Sequence, residues 1–225
     1  MRPDPSVVSN QAVQVARPRR RARALVGSAV VMLGLASFAG CAESQRQGTG
    51  SSYLIISNLE GASGAKPDDK SNTFASDVVT LVKQQVAGQE VRVPTVYEDP
   101  AIVTFQLAMK DPAVAPAPSN YITINRYRVQ YIRADGRNTP GVDVPFPFDG
   151  AMTVTVGDRA SSGGFTIVRL QAKNETPLKQ LAGGGGALAI SAIAEVTFYG
   201  SDQAGHEVSV VGRIGVNFAD WGDPQ

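Results

Sequence analysis

Residues 207–218 alternate with a period of two. Val208, Val210, Gly212, Ile214, Val216 and Phe218 share one parity, and Glu207, Ser209, Val211, Arg213, Gly215 and Asn217 the other. A helix would scatter those apolar residues around its axis, whereas a strand keeps every second side chain on one face. The pattern therefore demands a strand with one buried and one mostly wet face. Just upstream, Ala194, Val196 and Phe198 alternate with Glu195, Thr197 and Tyr199, and Ser201-Asp202-Gln203-Ala204-Gly205 supplies turn residues between the two runs. Together they predict a C-terminal hairpin that must lay its apolar face on other structure.

The same reading places strands near 53–57, 77–83, 102–110, 121–133, 151–156 and 165–171. Pro, Gly, Asp and Asn punctuate between them at Asp111-Pro112, 115–120, Asp135-Gly136 and Ser161-Ser162-Gly163-Gly164. The segment 77–86 also fits a helical stripe, and its Val and Thr content favours strand. In 121–133 the parity changes midway. Ile122 and Ile124 lie on one face and Tyr127, Val129 and Tyr131 on the other, which a bulge near Asn125-Arg126 would reconcile. One short helix is expected over 175–182, with Pro177 in its first turn, ended by a flexible loop or hinge at Gly183-Gly184-Gly185-Gly186. The predicted fold is all-β: an antiparallel sandwich of about eight strands, immunoglobulin-like in architecture, with at most one short helix; a small β-barrel is the alternative.

The N-terminus has a different character. Arg17, Arg19, Arg20, Arg21 and Arg23 precede an uncharged run, 24–40, that ends in Phe38-Ala39-Gly40-Cys41 with Leu35 upstream. Basic, apolar and small-residue segments in that order are those of an export signal. With small residues directly before a cysteine, the segment resembles a bacterial lipoprotein signal peptide and its lipobox, with Phe38 at the position that family most often fills with Leu. The resemblance implies removal of 1–40, acylation of Cys41 as the first mature residue, and placement in the cell envelope. Ala42 rather than Asp after the cysteine implies the outer membrane where a cell has two. An uncleaved N-terminal span is the alternative reading of the apolar run. Residues 41–51 then read as the lipidated cysteine and a polar tether of about 35 Å when extended, and 52–225 as one domain.

Export changes the charge. Residues 1–40 hold six of the 21 basic and one of the 20 acidic residues, leaving 15 against 19, a net charge of about −4. A mildly acidic domain without basic clusters argues against nucleic acid and anionic lipid as partners. Cys41 is the only cysteine, so once it is acylated no disulfide, thiolate metal site or cysteine nucleophile is available.

Few residues point to chemistry. His206 is the only histidine; without a supporting motif it reads as a surface residue beside a turn. Gly183–Gly186 lacks the Lys-Ser/Thr of a phosphate loop. Asp135, Asn138, Asp143 and Asp149 gather oxygen ligands and form a candidate calcium site, although their spacing beside Gly and Pro is equally what turns require. Phe146 and Phe148, which follow Pro145 and Pro147, are held extended; they form either a partner-contact strip or the closure of the core. Tyr127 and Tyr131 read as core or rim, and Trp221 as a lid over one edge. The favoured function is a lipid-anchored, non-enzymatic binding or scaffolding module with an envelope protein or glycan partner and no cofactor. The alternatives are a carboxylate-dependent glycan enzyme and a calcium-dependent adhesion module.

Overall fold

The computed structural model describes residues 50–223. The signal-like segment, Cys41 and the tether up to 49 lie outside them. Ten strands follow in order: β1 (Ser52–Gly61), β2 (Thr73–Asp77), β3 (Thr80–Val86), β4 (Gln89–Thr95), β5 (Asp99–Met109), β6 (Ile122–Ile132), β7 (Phe148–Val156), β8 (Ser161–Val168), β9 (Ile190–Asp202) and β10 (Glu207–Ala219). The one α-helix among the described residues, α1 (Leu170–Asn174), precedes a 3-10 turn at Leu178–Leu181. Strands β1-β5-β8 form one sheet and β2-β10-β9-β6-β7 the other, while β3 and β4 pair only with each other.

The two larger sheets face one another across an aromatic core. Phe105 of β5 and Phe165 of β8 meet Phe198 of β9 edge-on at 5.0 and 5.3 Å, and Tyr127 of β6 meets Phe165 at 5.0 Å. A fully buried side chain of this size contributes about 1.5–3 kcal/mol. Hydrogen bonds also cross the gap: the Tyr131 hydroxyl donates to the Ile167 carbonyl at 2.7 Å, and the Thr166 amide donates to the Tyr127 hydroxyl at 3.3 Å. Burial pushes both phenols above their usual pKa. At the seams side chains of one sheet pack directly on glycines of the other. A β-carbon on Gly212 of β10 would strike Leu59 and Ile56 of β1 at 2.8 and 2.9 Å, and one on Gly163 of β8 would strike Val154 and Met152 of β7 at 2.5 and 2.8 Å.

Alternation sets the register as expected. Val208, Gly212, Ile214, Val216 and Phe218 are buried in β10, and Glu207, Val211 and Arg213 are exposed. The bulge in β6 is present too. Its pairing with both β7 and β9 slips between Ile124 and Arg126, so Ile122, Ile124, Tyr127, Val129 and Tyr131 are all buried.

Other expectations change. The strand expected over 77–83 is two, β2 and β3, broken around fully buried Val78. β2 runs parallel to β10, so the five-stranded sheet is mixed and not purely antiparallel. The split at Val78 and the unexpected β4 raise the count from eight to ten among the described residues; the β3–β4 hairpin turns on Ala87 (φ 53°) and Gly88 (φ 81°), and Ala in that region is a weak turn signal. Ser161-Ser162-Gly163-Gly164 belongs to β8, paired with 102–105 of β5. The helix expected over 175–182 is absent. Pro177 disfavours helical backbone at Thr176, so α1 ends before it and only the 3-10 turn follows. The glycine run is a formed turn. Gly183, Gly185 and Gly186 have φ of 80°, 55° and 77°, and the Gly183 amide donates to Asp220 at 2.6 Å.

Candidate functional site

The outward face of the five-stranded sheet is organised by register. Arg128 on β6 stands opposite Asp149 on β7 and donates to it at 2.7 Å. In the next row Gln130 donates to Glu195 at 2.6 Å, and Arg213 of β10 reaches the other oxygen of that carboxylate at 2.6 Å. These charges neutralise one another. Towards the β9–β10 turn the pattern changes. The bulge turns Asn125 and Arg126 outward, and the Arg126 guanidinium lies 4.1 Å over the Tyr199 ring with a long contact to Asp149 at 3.4 Å. Beside it an open groove of about 600 Å³ runs along Tyr199, Ser201, Glu207 and Ser209. Among the described residues the side chains of Asn125, Ser201, Glu207 and Ser209 have no hydrogen-bond or ion-pair partner. The groove thus gathers an amide, two hydroxyls and a carboxylate beside an aromatic ring, all available to a ligand.

His206 follows the same turn. Its Nδ1 lies 2.8 Å from Asp202 Oδ2, and Asp202 Oδ1 accepts the amides of Ala204 and His206, both at 2.9 Å. Burial opposes ionisation of Asp202, but these bonds prevail and hold its pKa below the usual carboxylate value. The arrangement caps the turn.

A second cluster lies inside the sandwich. Asp99, first residue of β5, has the inward parity of Ala101, Val103 and Phe105. Its Oδ1 accepts Lys173 Nζ at 2.6 Å and the Gly64 amide at 2.8 Å, and its Oδ2 accepts the Ser76 hydroxyl at 2.5 Å. Lys173 Nζ also donates to the Asp77 carbonyl at 2.7 Å. Both side chains of the pair are 0 % exposed. Desolvation pushes the Asp99 pKa up against the pull of Lys173 and the hydrogen bonds. Sequence reading missed this cluster. Its one local signal is an acid on the apolar parity of a strand; its partner stands 74 positions away.

The residues singled out from the sequence divide. Phe148 begins β7 opposite Val129, is 5 % exposed, and packs edge-on against Tyr127 at 6.2 Å with the Arg169 guanidinium 4.4 Å over its other side. It therefore leaves the proposed contact strip, because strand pairing turns its ring into the core. Phe146 is 48 % exposed and lies against Gly141. Asp135, Asn138, Asp143 and Asp149 do not converge. Asp135 pairs with Arg133 and Arg137, which hold its pKa at about 2. Asn138 Oδ1 accepts the Arg133 amide, Asp143 Oδ2 accepts the Thr139 amide, and Asp149 pairs with Arg126 and Arg128. Among the described residues, no group of three or more His, Cys, Asp or Glu is placed to hold a metal ion. Tyr127 and Tyr131 are core. Trp221 sits at the β2–β10 edge, donating Nε1–H to the Asn217 carbonyl at 3.1 Å. Cys41 lies outside the described residues. No protein-family model matches the chain, and no curated protein is significantly similar to it.

Proposed function

We propose that the chain is a lipid-anchored envelope protein that binds a hydroxyl-rich ligand, a glycan, in the groove between the β6 bulge and the β9–β10 turn, and performs no reaction on it. The observation that carries this reading is the unpaired set Asn125, Ser201, Glu207 and Ser209 beside rows whose charges are all matched. Donors and acceptors of both kinds suit sugar hydroxyls, which do both. Among the described residues Glu207 is the only carboxylate lining the groove, whereas glycoside hydrolysis ordinarily works between two carboxylates about 5–9.5 Å apart; this favours binding over cleavage. The anchor rests on the lipobox-like end at Cys41. No helix among the described residues is long and apolar enough to cross a membrane.

The test is calorimetric titration of the detergent-extracted protein with soluble fragments of envelope glycan, alongside a Glu207→Gln, Ser209→Ala variant. Saturable binding to the wild type, weakened at least tenfold in the variant, is expected, with the fragments unchanged in length. Binding unaffected by the variant would remove the groove from the account. Shortened fragments would make the protein a hydrolase.

A further inference from the structure

We infer that Lys173 and Asp99 condense with one another, so that the folded protein carries an intramolecular amide between the lysine Nζ and the aspartate Cγ. The inference is independent of the groove and rests on the interior cluster. An amine and a carboxyl are held 2.6 Å apart, both wholly removed from solvent. In such a place the ion pair competes with its neutral form, because taking two charges out of water is costly and one proton moved from Nζ to the carboxylate cancels both. A neutral amine beside a neutral acid is the reactive combination.

The surroundings favour the step. Fixed proximity of this kind corresponds to effective concentrations of about 10⁵–10⁸ M, which offsets the unfavourable balance of amide formation in water. Gly64 N–H points at Oδ1 at 2.8 Å and holds that oxygen against Nζ. Only glycine permits that approach, since a β-carbon at position 64 would meet the Glu98 carbonyl at 2.1 Å and the Tyr97 side chain at 2.5 Å. The Ser76 hydroxyl, 2.5 Å from Oδ2, donates where negative charge develops as Nζ adds to Cγ.

Nζ first gives one proton to Oδ1, its hydrogen-bond partner at 2.6 Å. The Nζ–Cγ bond forms while the Ser76 hydroxyl holds the charge on Oδ2, Nζ surrenders a second proton to Oδ1, and the Cγ–Oδ1 bond breaks. Oδ1 leaves as water, Oδ2 becomes the amide oxygen, and the amide keeps one N–H, placed to donate to the Asp77 carbonyl. Asp77 and Ser63 line a cavity of about 90 Å³ beside the cluster, and the Ser63 hydroxyl is buried without a partner, so a released water has a polar place to go. The bond would tie the start of β5 to α1 across 74 positions. A chain with Cys41 as its only cysteine has no intramolecular disulfide to do the same.

The protein extracted from membranes, denatured and digested with trypsin decides it by mass spectrometry. A branched species joining 93–110 to 170–179, lighter than the two peptides together by one water and uncleaved after Lys173, is expected. It should be absent from a Lys173→Arg variant. Recovery of 170–173 and 93–110 only as separate peptides from folded wild-type protein would overturn the inference, as would an unchanged branched species in Lys173→Arg.

Discussion

The two faces of the five-stranded sheet are built from the same strands and obey opposite rules. Along β9, Ala192, Ala194, Val196 and Phe198 face inward and are at most 7 % exposed, closing on the other sheet through ring contacts. Between them Ile193, Glu195, Thr197, Tyr199 and Ser201 face outward. There an apolar residue is tolerated in the open, as Ile193 and Val211 are at 42 % and 45 %, and charges are matched across strands up to the row where the β6 bulge breaks the ladder. The inner face is determined by burial and admits few alternatives. The outer face is free to vary, so the unpaired polar side chains beside the β6 bulge are where a function independent of folding can reside.

The comparison can be broken most forcefully at β10. Ile214 faces inward and is 2 % exposed. Ile214→Asp places an unpaired charge in the core and should cost about 5 kcal/mol or more, whereas Ser209→Asp on the other face should change stability by less than about 1 kcal/mol. Urea denaturation of the two variants reads the difference; equal shifts would mean that the faces are misassigned. A step smaller in effect separates the two phenylalanines that follow the prolines. Phe148→Ser should destabilise by about 3–5 kcal/mol, as truncation of a buried aromatic does, and Phe146→Ser by a small fraction of that. Similar losses for both would return Phe146 to the core.

The smallest expected effect concerns the inward-facing acid at the end of β9. Asp202 has a folded pKa below its usual 3.8. Its share of stability is therefore fully present above the unfolded value and is lost as pH falls through the folded one. Carbon-detected NMR should show its carboxyl titrating with a midpoint below 3.8, moving up in His206→Ala. A midpoint at or above the usual value would mean that His206 and the turn amides do not hold it.

The inner face was readable because burial acts on one strand at a time. A period of two identifies Val196 or Ile214 without knowledge of the neighbour, and a change of parity located the β6 bulge. What depended on partners was not readable. The β2–β10 parallel pairing follows from contacts that no local pattern encodes, and the β3–β4 hairpin was hidden by the weak turn signal of Ala87-Gly88. Phe148 differs from Phe146 only because Val129 pairs with it. Glu207 stands unmatched while Glu195 meets Arg213 and Gln130, and both are simply outward acids in the sequence. The Asp99–Lys173 cluster left one trace, an acid on an apolar parity.

We propose that ligand binding belongs to the unpaired side chains between the β6 bulge and the β9–β10 turn. Amide shift mapping by NMR during titration with envelope glycan fragments tests it most directly. Perturbations concentrated at Asn125, Arg126, Ser201, Glu207 and Ser209, with the rows of Arg128–Asp149 and Gln130–Glu195–Arg213 nearly unmoved, are the predicted result. Perturbations centred on the β1-β5-β8 sheet or the β3–β4 hairpin, with this groove silent, would contradict it.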